Sequence, residues 1–231
     1  MTPGGSTERE IKLTVAGGGP GGPGALLEYL ARLPALGAAY ALGPARAVSI
    51  RDVYYDTAGG RLRAGRVAFR IRNAGGRPFV TVKRTLRQES GLSVREEYEA
   101  PLEPESLREA LQRAGLPAGE GWIPVAALAA GDRAGPLLPV LVAATERVSR
   151  EVRRGALVVA TLSLDRVRYE RVPGEPVYHD VEVEATPAGT EADLEHLGRL
   201  LARAAEDAGA RLVPERESKL SRGLRLLGAV Q

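Results

Sequence analysis

Five segments of the chain alternate charged or polar residues with apolar ones, and this alternation restricts the fold more than any other feature. Successive side chains of a β-strand point to opposite faces, so each segment is predicted to be a strand with one ionic and one apolar face. The ionic faces repeat Glu-x-Glu and Arg-x-Arg, where a solvent face usually mixes Thr, Ser, Gln and Lys. The positions on these faces are Glu8, Glu10 and Lys12; Arg70 and Arg72; Thr81 and Lys83; Arg95, Glu97 and Glu99; and Asp180, Glu182 and Glu184.

An open sheet with its polar face in water would produce the same alternation. The choice of residues favours an enclosed site instead. Two carboxylates at positions i and i+2 stand ~7 Å apart at their roots, and they repel each other unless a divalent cation lies close by. Arg-x-Arg on a neighbouring strand offers guanidinium groups that match phosphate oxygens. A closed barrel with these faces inward also removes sheet edges and leaves the apolar faces for helices to cover.

The 231 residues include no cysteine and only two histidines, His179 and His196. Disulfides, thiolate metal sites and histidine-rich metal sites are therefore excluded. Any bound metal ion must use oxygen ligands, which favours a hard cation such as Mg²⁺ or Mn²⁺.

Charge is mixed along the whole chain, with 32 basic and 29 acidic residues and a net charge of +3. We expect no nucleic-acid partner, because nucleic-acid-binding proteins usually concentrate basic residues on one surface. No apolar run approaches the ~18 residues of a membrane-spanning helix, and the N-terminal residues lack a secretory pattern. We therefore expect a cytoplasmic protein without a membrane partner.

The pattern as a whole predicts a mainly β (α+β) fold, in one domain with about eight antiparallel strands and peripheral helices. Strands are predicted at 8–15, 48–55, 67–72, 79–85, 94–100, 141–152, 156–165, 168–172 and 177–185. Helices are predicted at 25–36, 104–114, 191–208 and 218–227, and 17–24 is predicted to be an irregular Gly/Pro loop. Segment 117–139 is left open between a short helix and a loop. The core of the domain is expected at about 8–227, with flexible ends at 1–7 and 228–231.

Short motifs follow one another along these predicted strands. The first is the E-x-E-x-K sequence Glu8-Arg9-Glu10-Ile11-Lys12. The later motifs are, in order, Tyr54-Tyr55-Asp56-Thr57, Arg70 with Arg72, Lys83, Arg95-Glu96-Glu97-Tyr98-Glu99, Asp165, Glu182-Val183-Glu184 and Ser218-Lys219. Taken together, the ordered series resembles the CYTH superfamily, the triphosphate tunnel metalloenzymes. The resemblance extends from Glu8 to about Leu227, so one CYTH domain is expected over 1–231.

This resemblance implies a closed eight-stranded antiparallel β-barrel whose acidic and basic side chains point into a tunnel. The side chains expected to bind the triphosphate are Lys12, Arg70, Arg72, Lys83, Lys219 and either Arg147 or Arg150, which lie on opposite faces of a regular strand. The carboxylates expected to hold one or two Mg²⁺ or Mn²⁺ ions are Glu8, Glu10, Glu97, Glu99, Asp165, Glu182 and Glu184. The residues expected to act in the chemical step are Glu182, Glu184 and Lys12.

The function implied is metal-dependent hydrolysis of a small triphosphate by phosphoryl transfer to water. Inorganic tripolyphosphate, cleaved to pyrophosphate and phosphate, is the first expectation, because no sequence feature requires an organic group. A thiamine triphosphatase should offer an aromatic surface to the ring, and aromatic residues make up only 4% of the chain. A CYTH-type adenylate cyclase would use the same tunnel residues, and a non-catalytic polyphosphate-binding module is the alternative outside enzymes. The expected partner is a small-molecule triphosphate, and the expected state is a monomer or homodimer.

Overall fold

A computed structural model describes residues 6–17, 19, 21–89, 92–116 and 125–228. Within these residues the chain forms eleven strands and six helices. The strands are β1 (Ser6–Gly17), β2 (Ala35–Leu36), β3 (Tyr40–Leu42), β4 (Arg46–Thr57), β5 (Val67–Ala74), β6 (Arg77–Glu89), β7 (Leu92–Pro101), β8 (Leu137–Arg154), β9 (Leu157–Glu170), β10 (Val177–Ala185) and β11 (Arg211–Pro214). The helices are α1 (Gly22–Arg32), α2 (Arg61–Ala64), α3 (Pro104–Arg113), α4 (Val125–Ala130), α5 (Glu191–Asp207) and α6 (Lys219–Leu226).

Eight of the strands form a closed antiparallel barrel, which confirms the predicted fold class. Their order is β8-β4-β5-β6-β7-β1-β10-β9, and pairing of β8 with β9 closes the ring. The hairpin of β5 and β6 turns at Gly75 and Gly76. Strand β3 adds to β8, β2 adds to β3, and β11 pairs with β1.

The helix predicted at 25–36 is placed differently in the structure. Helix α1 begins three residues earlier, because Pro23 lies in its first turn, where a proline needs no hydrogen-bond partner for its nitrogen. It ends at Arg32, and the next residue, Leu33, is extended with ψ 134°. Leu33 precedes Pro34, and a following proline disfavours the helical conformation. Residues 35–36 therefore belong to strand β2 and not to the helix.

The two strands predicted at 156–165 and 168–172 are one continuous strand, β9. Alternation persists through the expected break, because Val167 is buried while Arg166 and Arg168 face outward and pair with Glu146 and Glu175. The strand ends just before Arg171, whose φ is 63°.

Four short elements, β2, β3, β11 and α2, were not predicted, because two to four residues carry no periodic pattern. Segment 117–139, for which the sequence leaves a short helix and a loop open, contains α4 and the start of β8. Its residues 117–124 lie outside the described part of the chain. Of the predicted flexible ends, 1–5 and 229–231 also lie outside it, whereas β1 already begins at Ser6.

The apolar faces of the barrel strands are covered by helices in two hydrophobic clusters. Helices α3 and α4 pack Leu107 and Leu128 against Phe69 and Val80. Helices α1 and α5 cover the opposite side of the barrel. The residues buried there include Leu30, Leu162, Val183, Leu194 and Leu197. The ionic faces are thereby left to the interior. No helix in the described ranges combines the length and hydrophobicity that crossing a membrane requires.

Helix α6 packs onto a third apolar cluster that includes Tyr54, Leu141 and Tyr169. Gly223, in the middle of α6, faces Leu141 and Tyr169 so closely that no side chain fits between them. A side chain at this position would move the helix away from the barrel. The position of α6 therefore depends on the glycine.

A matched pair of glycine substitutions tests this packing. Replacing a helical glycine by alanine alone gains about 0.5–1 kcal/mol. At Gly198 in α5 the new Cβ would lie 3.5 Å from Ile11, an ordinary contact, so Gly198→Ala should raise the melting temperature. At Gly223 it would lie 2.7 Å from a Leu141 methyl carbon and 2.9 Å from a ring carbon of Tyr169. Gly223→Ala should therefore lower the free energy of unfolding by about 1–3 kcal/mol. Equal stabilisation of both variants in denaturant titrations would contradict this packing.

Candidate active site

The barrel encloses a cavity of about 820 Å³ that is lined by the predicted ionic faces. The carboxylates that line it are Glu8, Glu10, Glu97, Glu99, Glu182 and Glu184. The basic side chains that line it are Lys12, Arg63, Arg66, Arg70, Arg72, Lys83, Arg87, Arg95, Arg147 and Lys219. Sixteen charged side chains of the described residues thus line one space, and most of the expected site residues are among them.

Three of the carboxylates form a cluster that could hold a divalent cation. One oxygen each from Glu8, Glu97 and Glu184 lies within 4.8 Å of the others. Burial and the neighbouring carboxylates of Glu8 and Glu97 raise the pKa of Glu184 to about 7. Such repulsion is relieved when a cation binds, and carboxylate oxygens are the ligands that Mg²⁺ and Mn²⁺ prefer. The donor set of these residues therefore fits the expected metal.

Lys83 lies beside this cluster and neutralises part of it. Its ammonium donates to both carboxylate oxygens of Glu8, at 2.7 and 2.8 Å, and lies 3.1 Å from Glu97. Burial alone would lower the pKa of Lys83, but Glu8 and Glu97 outweigh it and raise that pKa. The lysine is therefore held in its charged form among the carboxylates.

Glu10 and Glu99 line the same cavity, but other side chains hold them. Arg95 lies 2.6 Å from Glu10, and burial raises the pKa of Glu10 against the attraction of Arg95. Glu99 accepts a hydrogen bond of 2.9 Å from Thr81 and lies 3.7 Å from Arg72. Arg95 lies on a predicted ionic face, but no role was predicted for it.

Asp165 lies in a second group of charges with Arg147, Glu182 and Lys219. Arg147 donates to both oxygens of Asp165, at 2.7 and 2.6 Å, and to Glu182 at 2.6 Å. Lys219 donates to Asp165 at 2.9 Å and to Glu182 at 2.6 Å. Asp165 is fully buried and does not line the cavity. It was expected to bind metal, but the structure places it behind two cations, which it orients.

Glu182 differs from Glu184 although the two share one strand and one face. Burial alone would raise the pKa of Glu182, but Lys219, Arg147 and Lys12 hold it well below its usual range. Glu182 therefore stays ionised and firmly paired, whereas Glu184 titrates near neutrality.

Arg147 and Arg150 were alternatives for a single interior position, and the structure decides between them. Arg147 points into the cavity. Arg150 lies outside the barrel, where its guanidinium donates to backbone carbonyls of Ala31 and Leu33 at the end of α1 and of Leu42 and Gly43. Positive charge stabilises the exposed carbonyls at a helix C-terminus. The substrate-binding role expected of Arg150 is therefore corrected to a structural one.

Asp52 is an interior residue that the sequence did not reveal. It lies opposite Arg72 in the pairing of β4 with β5 and accepts two hydrogen bonds from that arginine, at 2.8 and 3.0 Å. Arg70 donates to it as well, at 3.4 Å. Burial alone would raise the pKa of Asp52, but Arg70 and Arg72 bring it down to about 2. The next acid at the same parity of β4, Asp56, is four residues away, so no Glu-x-Glu repeat marked Asp52.

Arg70 keeps two guanidinium nitrogens without a hydrogen-bond acceptor. Its Nε and Nη2 atoms are buried, and the nearest carboxylates, Glu97 and Glu99, lie 4.0 and 3.9 Å from Nη2. Buried donors are rarely left unpaired, because each carries a desolvation cost. A cavity with two free guanidinium donors is therefore suited to an anion with several oxygen acceptors.

The last group of charges connects α6 to the barrel. Arg222 is fully buried and pairs with Asp180, with Glu215 at 3.0 Å and with the hydroxyl of Tyr169 at 3.0 Å. Lys12 lies 3.4 Å from Asp180 and 3.9 Å from Glu182. Burial lowers the pKa of Lys12, while Asp180 works against that shift. The sequence marked Asp180 only as part of an ionic face and gave Arg222 no role.

Comparison with known proteins gives a family match and several structural relatives. A family model for the CYTH domain matches residues 32–223. HpAC1 from Hippeastrum, a proposed adenylyl cyclase described with a dominant triphosphatase activity, aligns with TM-score 0.61 at 19% identity, over 94% of this chain and 95% of that chain. A proposed adenylate cyclase from Bacillus halodurans aligns with TM-score 0.52 at 20% identity, over 94% and 97% of the two chains.

The PH1819 protein from Pyrococcus horikoshii OT3 aligns with TM-score 0.51 at 18% identity, over 94% of this chain and 98% of that chain. At these identities the likeness concerns the fold. No curated protein sequence matches the chain.

Metal affinity should increase as the pH rises through about 7. Below that pH a proton occupies Glu184 and competes with the cation. Without metal, the raised pKa makes the folded protein bind more protons than the unfolded chain. The contribution of Glu184 to stability is therefore present below the usual pKa of 4.5 and is lost as the pH rises through about 7. Calorimetric titration of Mn²⁺ or Mg²⁺ on both sides of pH 7 measures the affinity.

The matched variants are Glu184→Gln and Glu146→Gln. The first removes the titrating group and should flatten the dependence of metal affinity on pH. The second removes an exposed carboxylate outside the cavity and should leave the dependence intact. An affinity for metal that does not change with pH in the natural protein would contradict the role of Glu184 in the cluster.

Asp52→Asn should destabilise the protein by about 3 kcal/mol at neutral pH, because it leaves the buried Arg70 and the partly buried Arg72 without their closest charge partner. The pKa of Asp52 is depressed, so its contribution is present above the usual value of 3.8 and is lost as the pH falls through about 2. The difference between the variant and the natural protein should therefore shrink in acid. Urea titrations at several pH values measure it, and a constant difference would disprove the pairing.

Proposed function

The chain belongs to the CYTH domain family, and on that premise we propose that it hydrolyses a small triphosphate with a divalent metal ion, Mg²⁺ or Mn²⁺. Inorganic tripolyphosphate, cleaved to pyrophosphate and phosphate, is the proposed substrate. The observation that carries the proposal is the pair of unsatisfied donors on Arg70, a residue that lines the same cavity as the carboxylate cluster. Acceptor-rich anions and divalent cations are what these two features would bind together.

The basic side chains would bind and orient the triphosphate. Arg70 offers Nε and Nη2 to phosphate oxygens, and Arg72 is held in place by Asp52. Arg147 and Lys219 line the same cavity, where Asp165 and Glu182 position them. Fixed positive groups stabilise the charge that spreads over a phosphoryl group during its transfer. Because the carboxylates already orient these cations, little rearrangement is needed when the substrate enters.

Glu8, Glu97 and Glu184 would hold the metal ion. Once bound, the ion would supply positive charge against the phosphate oxygens. Of the two glutamates on β10, Glu182 is held by three cations, whereas Glu184 would be a ligand of the ion.

The structural relatives agree with this proposal without deciding the substrate. HpAC1, which shares the fold, is described with a dominant triphosphatase activity. Adenylate cyclase names also occur among the relatives, so cyclisation of ATP belongs in the first assay.

The assay measures phosphate, pyrophosphate and cyclic nucleotide release from tripolyphosphate, ATP and thiamine triphosphate, with Mg²⁺, Mn²⁺ or EDTA. We expect metal-dependent turnover of tripolyphosphate. Arg70→Lys keeps the charge but removes the planar fork of donors, and it should reduce kcat by roughly 10²–10³. Arg108→Lys, an exposed residue of α3 outside the cavity, is the matched control and should retain full activity.

Turnover of thiamine triphosphate or cyclisation of ATP, with tripolyphosphate left intact, would replace the proposed substrate. Binding of polyphosphate without turnover of any of these compounds would overturn the enzymatic proposal and indicate a binding module. An unchanged kcat in Arg70→Lys would show that the free donors of Arg70 do not act on the transferred group.

A further inference from the structure

One end of the cavity is surrounded by exposed residues that the proposed triphosphate site does not use. Arg66 directly precedes the first residue of β5, and Val67 pairs with Arg84 near the end of β6. The start of β5 and the end of β6 therefore lie at the same end of the barrel. We call the exposed lining residues at this end the rim; they are Arg63, Arg66, Leu86, Arg87, Gln88 and Ser221.

The rim differs from the rest of the cavity in its charge. Elsewhere in the cavity carboxylates accompany the cations, and two of them, Glu99 and Glu184, are themselves exposed, whereas the six rim residues include no Asp or Glu. Arg87 pairs with Glu191 at 2.7 Å, but both side chains are about half exposed, and such pairs are weak. Arg66 has no ion-pair or hydrogen-bond partner for its side chain within the described ranges. The rim is thus a positively charged collar around the opening.

The backbone of Arg66 adds an independent observation. Its φ is 55°, in the left-handed region that side chains with a Cβ disfavour and glycine adopts freely. Gly65 comes immediately before it, and a second glycine at 66 would fit the turn without strain. Residues held in sparsely populated backbone regions are frequent at ligand-binding sites. Here the strain places a guanidinium group on the wall of the cavity.

The cavity is also larger than a triphosphate requires. Pockets of roughly 300–1,000 Å³ accommodate drug-sized ligands, and this cavity is about 820 Å³. A linear triphosphate is far smaller than such ligands. Space remains between the inner cations and the rim for a substrate that continues outward.

The positive charge of the rim indicates which chemical groups the outer part of the substrate can carry. Guanidinium groups match phosphate oxygens and repel cations, so the positively charged ring of thiamine is disfavoured there. Leu86 is the one large exposed apolar residue of the rim, and no aromatic side chain belongs to the rim to stack on a nucleobase. We propose that the rim is an outer anion subsite, so that the site accepts inorganic polyphosphate with four or more phosphates as well as tripolyphosphate, with one end of the longer chain in the inner site. This inference rests on the proposed function.

The test compares tripolyphosphate with medium-chain polyphosphate in the natural protein, Arg66→Gly and Arg61→Ala. Arg66→Gly removes the guanidinium and relieves the positive φ, so its melting temperature should not fall. Losing one charge-assisted contact should increase the ratio of long-chain KM to tripolyphosphate KM by roughly tenfold. That ratio should also depend less on salt in the variant. Arg61 is exposed in α2 and does not line the cavity, so Arg61→Ala should leave the ratio unchanged.

Calorimetric binding of both polyanions in EDTA gives a readout that needs no turnover. Tighter binding of the longer chain that is lost in Arg66→Gly supports the subsite, whether or not hydrolysis is seen. Equal effects of Arg66→Gly and Arg61→Ala, with tripolyphosphate still hydrolysed, would overturn the subsite and leave the proposed function standing. If long-chain polyphosphate still binds but tripolyphosphate is not hydrolysed, the proposed function would be overturned and the subsite would stand.

Discussion

The structure depends on the mutual neutralisation of charges inside a closed barrel. A buried ion is costly unless a partner of opposite charge and further hydrogen bonds accompany it. The interior meets this constraint with small mixed groups. Asp52 pairs with Arg70 and Arg72. Asp165 and Glu182 pair with Arg147 and Lys219, and Asp180 pairs with Arg222. The same pairing that offsets the cost of burying these charges also fixes the cations in position. Removing one acid would therefore disturb both the stability of the fold and the geometry of the site.

The pairing is incomplete at two places, and these are the places where a ligand would bind. Arg70 has free donors, and Glu184 has neighbours of its own sign. One site lacks an anion and the other lacks a cation, so a metal–polyphosphate complex would complete both. The apolar outer faces contribute indirectly, because the helices that cover them keep each strand in the register that aligns these residues.

Much of this arrangement was readable from the sequence. Period-two alternation assigned Glu8, Glu10, Lys12, Arg70, Arg72 and Lys83 to one surface, and closure of the barrel confirmed that surface as the interior. Other features were not readable, because they depend on contacts between distant segments. Asp52 acquires its role only when β4 pairs with β5, and Arg150 is turned outward by carbonyls at the end of α1. Arg147 and Arg150 lie on opposite faces of β8, but only the closure of the barrel decides which of these faces points inward. Short elements such as β2 were missed because they carry no periodicity.

The order of strands in the ring has a consequence for how the chain reaches this state. Strand β1 lies between β7 and β10. Both edges of β1 are therefore paired only after β10, which comes much later in the chain, has been synthesised. The cavity also needs Lys219, from the final helix, to be complete. Contacts between segments so far apart in sequence close late and slowly. While a ribosome still holds the C-terminal part, Glu8, Glu10 and Lys12 therefore remain in water. The complete cavity therefore forms only after α6 has packed against the barrel.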